Sequence, residues 1–88
     1  MNDLAHIVLN QIDLLEKNFA SSMISLENCL EVLNYISTNA DYKRKYSADE
    51  IKEMNVDKTR LQEILNLTRK THTNLKLLLE ALNKKLKN

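Results

Sequence analysis

Residues 47–86 read SADEIKEMNVDKTRLQEILNLTRKTHTNLKLLLEALNKKL. Stepping through them by threes and fours in alternation gives Ile51, Met54, Lys58, Leu61, Leu65, Thr68, His72, Leu75, Leu79, Leu82 and Leu86. At 3.6 residues per turn those positions fall on one stripe, so the alternation is the seam of a heptad repeat. Lys58, Thr68 and His72 are its polar members. Ser47-Ala48-Asp49-Glu50 reads as a capping box, in which hydroxyl and carboxylate each satisfy a free backbone amide. Lys84, Lys85 and Lys87 crowd the far end, where cations suit the helix dipole. The stretch predicts a helix over about 47–87, with Asp57 as a second candidate start.

The same alternation runs upstream through Ala5, Val8, Ile12, Leu15, Phe19, Ser22, Leu26, Cys29, Leu33 and Ile36. Only Ser22 is frankly polar, and Ile7, Leu9, Leu14, Met23 and Leu30 widen the apolar face. With Asn2 or Asp3 as N-cap, a helix is expected over about 3–38. The polar stretch 39–46 then connects the two helices.

Composition agrees. The 88 residues contain no Gly, Pro or Trp, and folds rich in tight turns are hard to build without the first two. Aromatics are 5% and long β-branched runs are missing, which disfavours a sheet. The expectation is a single all-α domain over residues 1–88: a long antiparallel helical hairpin, a two-helix coiled coil, or alternatively a small three-helix bundle. Its length is near the limit at which one core suffices.

Residues 1–40 carry one Lys against five acidic groups, net −4, and residues 41–88 carry twelve basic against seven acidic groups, net +5. Two helices that attract one another fit this division, as does a bipolar binding surface. If facing positions sum to about 87, seam meets seam: Leu33 with Met54, Leu26 with Leu61, Ser22 with Leu65 and Phe19 with Thr68. Glu27 then falls near Arg60, Glu16 near Lys70, Asp13 near Lys76 and Asp3 near Lys84.

Catalytic constellations are not evident. His6, His72 and Cys29 lie turns apart on the hairpin, short of the convergence zinc needs, so no metal or other cofactor is expected. Cys29 is expected in the core as a small hydrophobe, and His72 on the seam opposite Leu15. Without Gly no phosphate-cradling loop forms, and a hairpin offers no cleft to perturb a carboxylate pair. The chain therefore reads as a non-enzyme with no small-molecule substrate. A lone cysteine, no basic leader and no apolar run of membrane length predict a cytoplasmic protein with no membrane partner.

Two features point to binding. Ile64, Leu67, Leu77 and Leu78 lie off the seam, and uncovered apolar surface usually marks an interface. Tyr42, Lys43, Arg44, Lys45 and Tyr46 alternate aromatic and basic groups, a pattern that suits a protein hot spot or stacked bases. The stretch Thr71-His72-Thr73-Asn74-Leu75-Lys76-Leu77-Leu78-Leu79-Glu80-Ala81-Leu82 resembles the leucine-rich C-terminal helix of small flagellar and type III export chaperones. It covers about a seventh of the chain, and similar leucine spacing occurs across coiled coils generally. The resemblance implies a chaperone that sequesters a partner's amphipathic helix. The leading expectation is a small helical adaptor or assembly subunit that binds a protein partner, or itself, through leucine-rich faces. Weak nucleic-acid binding by the basic loop and C-terminus is the alternative from another class.

Overall fold

The computed structural model describes residues 3–86, with the backbone alone at Asp3. Three helices follow one another: α1 (Asp3–Thr38), α2 (Ala40–Lys43) and α3 (Ala48–Leu86). Helices α1 and α3 pack side by side as an antiparallel hairpin, the architecture expected from the two seams. Helix α2 is a single turn, and α3 runs unbroken past Asp57, so the chain is not a three-helix bundle. Among the described residues no helix is long and apolar enough to cross a membrane.

The reversal needs no glycine, because no described residue has positive φ. Thr38 closes α1 by bonding its hydroxyl to the Asn34 carbonyl at 2.6 Å. Asn39 then leaves the helix at φ −73°, ψ 127° and caps α2, its side-chain oxygen accepting from the amides of Asp41 and Tyr42. The capping box read from sequence is present. The Ser47 amide donates to Glu50 Oε1 at 2.9 Å, and the Glu50 amide donates to Ser47 Oγ at 3.1 Å. That bonding to backbone holds the Glu50 carboxyl below its ordinary value of 4.5.

The molecule is a rod of 63 × 15 × 14 Å with a radius of gyration of 19.3 Å. A compact domain of this length would have a radius near ~12 Å. Its surface of 6702 Å² exceeds by about a quarter the ~5300 Å² of a compact protein of equal mass. Two helices alone leave little room to hide side chains. Among the described residues, only Leu9, Ile51 and Leu65 of the hydrophobics are buried, together with the polar residues Ser37 and His72.

The α3 seam is the one read from sequence: every member from Ile51 to Leu86 is buried or half-buried. The α1 seam differs in four of its ten members. Ala5, Ile12, Phe19, Leu26, Leu33 and Ile36 are covered as expected, but the column completing the seam is that of Leu9, Glu16, Met23, Leu30 and Ser37. Val8 and Leu15 are 42% and 46% exposed, and Ser22 and Cys29 are exposed too. Helix α1 is thus turned about its axis by one heptad position, or about 50°.

The cause is polar matching. Glu16 Oε1 lies 2.7 Å from His72 Nε2, a pair of positions whose numbers sum to 88. The Lys58 ammonium donates to Asn34 Oδ1 at 3.2 Å and to Ser37 Oγ at 3.0 Å. In the unrotated hairpin His72 would face Leu15 and Lys58 would face Cys29, each polar group against an apolar one. An unpaired interfacial polar group costs about 1–3 kcal/mol. Rotation pairs both, and no buried side-chain nitrogen or oxygen among the described residues lacks a partner. The wetting of Val8 and Leu15 is the counterweight.

Rotation also moves the charges. Glu27 pairs with Arg69 at 3.2 Å rather than with Arg60, because Arg60 belongs to the opposite edge of α3. Glu16 takes His72 in place of Lys70. Asp13 takes Lys17 within its own helix at 2.8 Å in place of Lys76, and the carboxylate holds that ammonium above its usual range. The expected Asp3–Lys84 pair involves a side chain outside those described.

Candidate interaction surface

Residues seven apart stack into columns along each helix, and the columns beside the seam define two edges of the hairpin. One edge is polar. His6, Asp13, Glu27 and Asn34 of α1 share it with Asn55, Gln62, Arg69 and Lys76 of α3. The Arg69–Glu27 bond crosses it, and Leu30, Asn34, Asn55, Lys58, Thr59 and Gln62 line a shallow groove there.

The other edge is uncovered; it is apolar and uncharged along α1 and mixed along α3, where Ile64 and Leu78 share their column with Glu50, Asp57, Thr71 and Lys85. Phe19, Ser22, Leu26, Cys29, Ile64 and Thr68 line one of its grooves. Asn28, Cys29, Val32, Leu33 and Leu61 line a second. Val8 and Leu15 continue the column of Ser22 and Cys29, and Leu78 continues that of Ile64. Exposure reaches 76% at Leu4, 57% at Val32 and 65% at Leu67 on this side.

Charge sharpens the contrast. Three adjacent columns of α1, those starting at Leu4, Ile7 and Val8, carry no acidic or basic residue along the whole helix. Every charge of α1 (Asp3, Asp13, Glu16, Lys17, Glu27 and Glu31) falls on the other four columns. Depletion of charge is what separates the centre of an interface from ordinary surface.

Of the residues singled out from sequence, Ile64, Leu67 and Leu78 lie on this apolar edge, while Leu77 sits one column farther out on the back of α3. Ile64 is 49% exposed, and Leu77 and Leu78 are 59% and 46% exposed. Tyr42, Lys43, Arg44, Lys45 and Tyr46 lie at the turn, some 32 residues or about 48 Å of helix from Leu78. The structure does not bring the two groups together. At the turn Tyr42 packs against Tyr35 with ring centroids 5.3 Å apart, and the Lys45 ammonium lies 4.9 Å above the Tyr42 ring. Arg44 pairs with Asp41 at 2.5 Å.

Sequence reading missed the α1 half of the edge: Leu4, Val8, Leu15, Cys29 and Val32. The seam read from the α1 sequence includes Val8, Leu15 and Cys29, which places them under α3. The signal that finds them is the charge-free strip, which is visible in the sequence once the heptad columns are written out.

The chain matches no protein-family model, no curated protein and no solved structure. No group of three or more His, Cys, Asp or Glu that could hold a metal ion occurs among the described residues.

Proposed function

We propose that this chain is a helical protein-interaction module that works by binding through its apolar edge rather than by catalysis. The observation that carries the reading is the charge-free strip of α1 lying beside Ile64, Leu67 and Leu78 of α3. A solvated helix face normally carries charges every turn or two, and this one carries none along about 54 Å of helix. Leucine and valine from two helices, set in shallow grooves, suit the apolar stripe of a further helix. The export-chaperone reading is the special case in which that helix belongs to a secreted client. A cytoplasmic setting suits the exposed Cys29 thiol, which an oxidising compartment would leave open to modification.

Site-specific photo-crosslinking tests the edge. A photoreactive residue at Leu15 should give adducts, with itself or with other proteins of the source cell extract. The same group at Gln62, on the polar edge, should give few. Equal yields from both positions would remove the apolar edge as the binding surface.

A further inference from the structure

The uncharged strip of α1 contains a second heptad seam, and its sequence shows what it fits. Taken in alternating steps of four and three it reads Leu4, Val8, Gln11, Leu15, Asn18, Ser22, Ser25, Cys29, Val32 and Ile36. Both ends are apolar, and the middle is small or polar but uncharged. Reversed, the strip still matches itself. We propose that the occupant of the apolar edge is a second copy of this chain, docked with α1 antiparallel to α1 of its partner to form a four-helix assembly. This rests on the reading of that edge as an interface.

Three observations select the arrangement. When facing positions sum to about 40, the two columns of the strip interlock as in a coiled coil. Leu4 meets Ile36 of the second copy, Val8 meets Val32, Gln11 meets Cys29, and Asn18 meets Ser22. Around the same twofold axis the α3 column pairs at positions summing to about 135, which sets Glu50 beside Lys85, Ile64 beside Thr71 and Asp57 beside Leu78 of the second copy. A twofold along the rod would instead press Val32 and Ile36 against the column of Glu50 and Asp57 of the other chain, setting both carboxylates rather than one against aliphatic side chains and leaving Lys85 away from Glu50. The area is also sufficient. Two separate rods expose twice 6702 Å², roughly 4600 Å² more than one compact protein of their combined mass. Stable interfaces need about 1200–2000 Å² in total, so less than half of that excess has to be covered. The pairing is isologous and closes on itself, so it ends at two copies.

The native Cys29 reports the geometry. Positions 11 and 29 lie roughly 27 Å apart along one helix and cannot bridge within a chain. Under mild oxidation, Gln11→Cys with Cys29 retained should form a covalent dimer. Gln11→Cys with Cys29→Ser should not, and neither should the unaltered chain. Sedimentation equilibrium of the unaltered chain should give twice 10.2 kDa in the micromolar range. Val8→Glu and Val32→Lys should each shift it towards the monomer while remaining helical, and the double variant should restore the dimer. A helical monomer throughout that range overturns the proposal. So does a dimer in which Gln11→Cys fails to link to Cys29. In the monomer case, adducts formed from Leu15 with other proteins alone would leave the interaction reading standing and remove only the second copy as occupant.

Discussion

The Glu16–His72 pair lends itself to a quantitative test, because it decides which way α1 faces. Its two side chains are 18% and 11% exposed and meet at 2.7 Å. His72→Ala leaves the Glu16 carboxylate in the seam with no partner, at about 1–3 kcal/mol for the lost bond. For a domain of this size about 2 kcal/mol lowers the thermal midpoint by roughly 8–16 °C. Glu16→Ala should cost a similar amount. Replacing both residues by leucine removes the desolvation of two polar groups and extends the apolar seam, and such swaps gain about 1–4 kcal/mol. The expected order of midpoints is therefore Glu16→Leu/His72→Leu above the native chain, and the native chain above either single alanine variant. Circular dichroism melts at one fixed chain concentration read it out, since association shifts midpoints by mass action. If both alanine variants melt within about 2 °C of the native chain, less than 0.5 kcal/mol is at stake. Glu16 would then lie on the surface, Leu15 would face α3, and the polar-matching account of the rotation would be refuted.

A disulfide test reads the same rotation: with Cys29→Ala as background, Met23→Cys/Leu65→Cys should oxidise to an intrachain bridge and Ser22→Cys/Leu65→Cys should not, as resolved by peptide mapping. Leu65→Ala, at a site 2% exposed, should cost about 2–3 kcal/mol, whereas Ile24→Ala at 61% exposure should stay within about 0.5 kcal/mol by denaturant titration. The Glu50 carboxyl is held below 4.5 by its bonds to Ser47. Its contribution is thus complete above that value and falls away as pH drops through the lowered one, and Glu50→Gln should flatten this part of the helicity-versus-pH curve. Ser47→Ala should cost about 1 kcal/mol. Replacing Lys43, Arg44 and Lys45 by Ser should leave the melt nearly unchanged, because the Arg44–Asp41 pair is 77% and 79% exposed and such pairs contribute little.

Element type, the α3 seam and the Ser47 cap were legible because each is a local pattern: a period, or a hydroxyl three residues before a carboxylate. The α1 seam was harder, because two apolar columns flank its fixed column of Ala5, Ile12, Phe19, Leu26 and Leu33. Counting hydrophobics favours Val8 and Leu15 over Leu9 and Glu16, and that count is made on one helix alone. What reverses it is cross-helix: His72 and Lys58 need partners that only Glu16, Asn34 and Ser37 supply. The candidate surface followed the same logic, since misplacing α1 by one column hid its share of the apolar edge.

The turn at residues 39–47 also sets an order of events. Each layer of the hairpin encloses more chain than the layer nearer the turn, from 21 residues at Ser37–Lys58 to 56 at Glu16–His72. Closing the longer span directly would cost about 0.9 kcal/mol more entropy than closing the shorter one. Loop closure therefore favours zipping outward from the turn, with the Lys58 contacts as the first cross-helix side-chain hydrogen bonds to form, and opening in reverse. Amide exchange should be slowest around Ile51–Leu65 and fastest in the layers formed by Ala5–Ile12 and Leu75–Leu86. The apolar residues Leu4 and Val8 belong to those outermost layers, so fraying and association compete for the same end of the rod. A second copy that covers Leu4 and Val8 with its own Ile36 and Val32 would slow exchange most at this open end, where the lone hairpin protects its amides least.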